Sequence, residues 1–224
     1  MHLTERIIPA PYYAQFEDIE RIEGYLHGGI ALEDDPYWAR SGAGSPSEYA
    51  YWANRACGMV CVKTCIEAFD GPILPLHTWI QLGLAQNAYS TEQPGKETLI
   101  EKGWLHAGLA EVMASQGLEA RVRAATINEI AMAVQSGKLV IASVSFEIGT
   151  RQPITQQGGH LVTVVGVRWR GKAVRSLVIH NPSGRTKTLR EYAVIPVERF
   201  KEAFSGRVIL VGSLHREQTQ RNPG

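Results

Sequence analysis

Apolar positions change their spacing midway along the chain. Before residue 137 they recur at helical intervals, and after it they gather into β-branched runs. Residues 57–69 carry Val60, Ile66, Ala68 and Phe69 among three cysteines, without proline and with their single glycine at Gly58. That composition predicts a mostly buried helix, ended by the turn Asp70-Gly71-Pro72. Residues 76–86 and 104–116 show the same period, and Gly117 is the expected stop of the second. Thr126, with Glu129 three residues on, is an N-cap signature for a further helix that ends near Gly137. The first 50 residues read as irregular, apart from a short helix over residues 17–23. Residues 34–47 hold two Pro, two Gly and three Ser and predict a loop, as do the polar residues 87–98 with their Pro-Gly pair.

Four strands are predicted beyond that point, over residues 138–146, 160–169, 174–180 and 207–211. Val197, Phe200 and Phe204 share a face and mark a short helix over 196–204. Helices first and an antiparallel sheet afterwards define an α+β chain of two lobes, with a cleft between them as the natural place for a site.

Length and composition narrow the function classes. The 224 residues fit one domain over residues 1–214 with a polar C-terminal tail over 215–224. A net charge of +1 argues against a non-specific nucleic-acid binder or an anionic-membrane binder. The N-terminus lacks the apolar run of a signal peptide, and no stretch approaches 18 apolar residues, so a cytoplasmic protein with no membrane span is expected. An odd number of cysteines, three, argues against a disulfide scaffold.

Those cysteines, Cys57, Cys61 and Cys65, stand four residues apart on one helical face. Along a helix they span about 12 Å, too far to meet one zinc ion, so neither a metal nor another cofactor is expected. Cys61 and Cys65 fit a helix–sheet contact. Cys57 differs, because it opens its helix, where the positive end of the dipole stabilises a thiolate and lowers the thiol pKa. A nucleophilic Cys needs a base and a group that orients the base. His160, in Gly158-Gly159-His160-Leu161-Val162, stands at the mouth of a strand where an imidazole can lean into a cleft. Asn181, in His180-Asn181-Pro182-Ser183-Gly184, ends the next strand and can offer its amide oxygen to the His160 ring. Strand alternation turns His180 to the opposite face. Taken singly, Cys57 also fits a core position, His160 a packing position, and Asn181 an ordinary turn.

The Cys-Gly helix start, the Gly-Gly-His strand and the Asn-Pro turn, in that order, resemble papain-like cysteine peptidases. The similarity is nearest to the bacteriocin-processing, double-glycine-type peptidases (cysteine peptidase family thirty-nine and its relatives). Pro11-Tyr12-Tyr13-Ala14-Gln15 resembles the segment that precedes the Cys-Gly helix there, and Ser136-Gly137-Lys138-Leu139-Val140-Ile141 resembles the strand leading to the His. The resemblance implies a papain-like fold and a catalytic set of Cys57, His160 and Asn181, with Gln15 completing the oxyanion hole. The family places that Gln a few residues before the Cys, whereas Gln15 lies 42 residues upstream of Cys57, so the intervening stretch must bulge out. Asn54, three residues before Cys57, is the rival donor. The family's third residue is most often Asp; Asn181 is the papain-type variant.

The expected activity is thiol-dependent hydrolysis of a peptide or isopeptide bond in a peptide or protein substrate. Acyl transfer of the phytochelatin-synthase or transglutaminase type uses a similar set, and a non-catalytic peptide-binding module would keep the fold alone.

Overall fold

The β-branched runs of the second half pair into the sheet that organises the molecule. The computed structural model describes residues 3–90 and 103–214. The chain opens with strand β1 (Leu3–Ile7) and continues through helices α1 (Ile22–Leu26), α2 (Pro46–Ala53), α3 (Cys57–Ala68) and α4 (Leu76–Ala85). A two-stranded ribbon, β2 (Tyr89–Ser90) with β3 (Gly103–Trp104), leads to α5 (His106–Ser115), β4 (Leu118–Ala124) and α6 (Ile127–Gln135). Then come β5 (Leu139–Ser145), β6 (Gly159–Arg170), β7 (Ala173–His180), β8 (Ala193–Pro196), α7 (Val197–Ala203) and β9 (Phe204–Ser213).

The main sheet runs β4-β9-β5-β6-β7-β8, every pair antiparallel. Strand β1 joins β6 beyond the start of β5, at Leu3↔Arg170 through Ile7↔Gly166. All seven residues of β5 are buried, as is β6 from His160 to Val167. A strand covered on both faces needs such unbroken apolar runs, and α3 and α6 both pack on β6. From Gly58 to Ile66 every residue of α3 is buried. The capping box at α6 forms as expected, with Thr126 and Glu129 each satisfying the other's backbone N–H.

Several expectations need correction. The first 50 residues are less irregular than their composition implies, since β1 is a strand and α2 a helix. Ser45 caps α2 by accepting from Glu48 N–H, and Pro46 takes the first helical position. The loop expected over 34–47 is broken by a short 3-10 turn at Trp38–Ser41 and gives way to α2 at Pro46. Buried Phe16, Ile22, Tyr25, Leu32 and Tyr49 give this region a small core of its own. Trp104 belongs to β3, and its helix begins only at His106. The sequence pattern also does not predict strands β4 and β8. Residues 121–124 are exposed and so lack an apolar stripe, and β8 is only four residues long. Part of the loop expected over 87–98, residues 91–98, and the whole tail over 215–224 lie outside the described residues. No helix among the described residues is long and apolar enough to cross a membrane.

Candidate active site

Antiparallel pairing of β6 and β7 brings two of the expected residues together. Thr163 on β6 faces His180 on β7, so the start of β6 lies beside the end of β7. His160 Nε2 stands 2.9 Å from Asn181 Oδ1. That oxygen also accepts the Ser183 backbone N–H at 3.1 Å, an Asx turn closed across Pro182. A backbone N–H can only donate, which fixes the Asn181 amide with its oxygen toward the ring. Nε2 must then carry the proton, and the lone pair of the neutral ring falls on Nδ1. Asn181 is fully buried, and its Nδ2 is packed against Gly149, where a Cβ would come within 2.8 Å. Burial pulls His160 down to about 4, although the Asn181 hydrogen bond acts in the opposite direction.

The sequence reading does not include Ser183 beside His160. Its Oγ lies 3.1 Å from His160 Nε2. The signal was present in Asn181-Pro182-Ser183, because an Asx turn brings the residue two positions on back to the Asn side chain.

Cys57 is the first residue of α3 and is half-buried. The sequence predicts a lowered thiol pKa, and the structure reverses that direction. Burial pushes the Cys57 thiol up, and the backbone N–H groups of Leu161, Gly58 and Cys57 itself offset it only in part. Desolvation thus outweighs the helix N-terminus. The Leu161 contact places the sulfur against the residue that follows His160. Cys57 and His160 line one cleft of about 370 Å³, together with Asn54, Tyr89 and Trp104.

The helical lobe gives this cleft an aromatic wall. The Tyr89 and Trp104 rings meet edge-on at 4.9 Å, and Trp52 packs on both. Trp104 Nε1 donates to the Arg55 carbonyl at 2.7 Å, fixing the indole beside the start of α3. Gly58 allows that approach, since a Cβ there would fall 2.9 Å from the Trp104 Cβ.

Gln15 and Asn54, the two oxyanion candidates, part company. Gln15 is buried and lines a second, smaller cavity with Ala53 and His77, and its Nε2 donates to the Ala53 carbonyl at 2.8 Å. Its backbone N–H donates to the Pro182 carbonyl at 3.0 Å, and Tyr12 Oη donates to the Asn181 carbonyl at 3.1 Å. Residues 12–15 therefore tie the turn that carries Asn181 to the end of α2. Asn54 lines the Cys57 cleft.

Cys61 and Cys65 are fully buried in α3, and burial pushes both thiols up. His180 is buried between the rings of Tyr12 and Tyr192 at 5.5 and 4.5 Å. His77 pairs with Glu48 at 3.0 Å, and His106 lines the cleft. Among the described residues, no group of three or more His, Cys, Asp or Glu is arranged to hold a metal ion.

A Cys-headed helix packs on an antiparallel sheet in which His160 is the second residue of β6, and the fold matches that of papain-like structures. Among solved structures, the chain is similar to a C39-like peptidase from Bacillus anthracis, with 15% identity over 71% of this chain and 90% of that one, at a TM-score of 0.50. It also aligns with a double glycine motif protease from an AMS/PCAT transporter, solved with its leader peptide, at 13% identity, 92% and 93% coverage and a TM-score of 0.49. The peptidase domain of Streptococcus ComA aligns at 14% identity, 71% and 93% coverage and a TM-score of 0.44. No family model matches the sequence, and no curated protein does.

Proposed function

We propose that the protein is a cysteine peptidase, a thiol-dependent hydrolase of peptide or isopeptide bonds that works through Cys57, His160 and Asn181. One observation carries the reading. The Asn181 oxygen, fixed by Ser183 N–H, holds the proton of His160 on Nε2. Nδ1 is thereby left as a base in the ring that lines the cleft with Cys57.

With the thiol raised and the imidazole lowered, both groups rest neutral near pH 7. Attack then begins with transfer of the Cys57 proton to His160 Nδ1 as the sulfur adds to the carbonyl carbon. We take the Cys57 N–H and the Asn54 amide as the oxyanion donors, with Asn54 preferred to Gln15 because it lines the cleft. As the C–N bond breaks, the leaving amine takes the proton from Nδ1. A water molecule, deprotonated by His160, then adds to the thioester. The C–S bond breaks, and the acid and the thiol are released. The substrate is a peptide or protein, and no cofactor enters the scheme.

Exposure of a peptide library to the wild type, with products found by mass spectrometry, tests the reading. New termini are expected from the wild type and none from folded Cys57→Ala or His160→Ala. Equal cleavage by folded Cys57→Ala would defeat it.

A further inference from the structure

We infer that Ser183 is a second positioning residue for His160, sharing the Nε2 proton with Asn181. The inference rests on the catalytic reading of Cys57 and His160. Two oxygens face the single Nε2–H, Asn181 Oδ1 at 2.9 Å and Ser183 Oγ at 3.1 Å. Both side chains are buried, with Asn181 fully inaccessible and Ser183 8% exposed, so water does not replace either readily. The hydroxyl can accept from Nε2–H while its own hydrogen points to Asn181 Oδ1, 3.5 Å away. All three groups then form one small network, and either oxygen alone keeps the ring in the tautomer that leaves Nδ1 basic.

This arrangement separates Ser183 from an ordinary turn residue. The Asx turn is closed by the Ser183 backbone N–H, which Ser183→Ala leaves intact. Truncating the side chain removes only the second acceptor. Truncating Asn181 removes the first acceptor together with the oxygen that closes the Asx turn, and the Nε2 proton then turns to the hydroxyl. Losing both leaves a buried donor with no acceptor, which costs far more than either loss alone.

The test is a double-mutant cycle over Asn181→Ala, Ser183→Ala and the pair. Its readouts are the pH profile of Cys57 alkylation by iodoacetamide, followed by peptide mass spectrometry, and the ¹⁵N shift of His160 Nε2. In alkylation near pH 7, a loss of about threefold is expected for Ser183→Ala and about tenfold for Asn181→Ala, with more than about 100-fold for the pair. Ser183→Thr, which keeps the hydroxyl, should match the wild type when Asn181 is present and match Asn181→Ala when it is not. A pair effect equal to the product of the singles, or no rescue by Thr, would overturn the inference. If the double variant does not fold, the Nε2 shift decides. It should move in Ser183→Ala and return in Ser183→Thr, and an unchanged shift overturns the shared bond. Wild-type alkylation that ignores His160→Ala would instead refute the catalytic reading, while the shift would still report on Ser183.

Discussion

Acid should destabilise this fold through two buried imidazoles, and His180 isolates the effect from the proposed chemistry. His180 is 2% exposed, and burial lowers it from 6.5 to about 4, with the Pro11 backbone oxygen acting the other way. Between those two values the unfolded chain binds the proton more readily than the folded one. Stability is therefore complete above pH 6.5 and falls as the pH drops toward 4. The whole gap is worth about 3 kcal/mol, most of which is lost by pH 4.5. His160, also lowered to about 4, adds a loss of the same sign. Glu17 opposes both. Burial first and Asp35 second push its carboxyl up to about 7, so the folded state gains stability as the pH falls from 7 toward 4.5. The net slope of the wild type mixes these effects, and a difference between two proteins does not. Urea unfolding of the wild type and His180→Phe at pH 7.5 and pH 4.5 measures the His180 part, because the packing cost of Phe is common to both pH values. The variant should lose about 2–3 kcal/mol less than the wild type across that interval. An equal loss in both proteins would refute the account of His180.

Gly58→Ala should lower the melting temperature by about 2–6 °C, since overpacking against Trp104 outweighs the helix preference of Ala; an unchanged or raised value in a thermal scan would contradict the close approach. Asn54→Ala should lower kcat by about 100-fold, whereas Gln15→Ala should lower chiefly stability, and steady-state assays showing the reverse would return the oxyanion to Gln15. Asn181→Asp sets a buried carboxylate beside Nε2 and should raise His160 from about 4 in an NMR titration while keeping much of the activity; an unmoved titration would contradict the Asn181 bond.

The central parts of the candidate site are legible in the sequence because each is tied to a local pattern. A glycine beside Cys57 at a helix start, glycines before His160 at a strand start and an Asn-Pro turn are short-range signals. The long runs of β5 and β6 announced themselves for the same reason. What escaped depends on partners distant in sequence. Strand β1 is exposed except at Ile7, which is partly buried, and it exists because it pairs with β6 more than 150 residues away. The turn at Asn181 is held by Tyr12 and Gln15, contacts that no window of sequence contains. The direction of the Cys57 shift is not legible in the sequence, because the helix N-terminus can be read from position, whereas desolvation depends on what packs over the sulfur.

The central claim is that Cys57 takes the acyl group and His160 moves the proton. Its most direct test is an acid quench of the wild type during turnover of any peptide it cleaves, followed by digestion and mass spectrometry of the fragment that carries Cys57. The account predicts a thioester adduct on Cys57 whose mass equals the acyl portion of that peptide. The adduct should be absent from His160→Ala, and Cys61 and Cys65 should stay unmodified. Product formation with no adduct on Cys57, or an adduct that forms equally fast in His160→Ala, would contradict it.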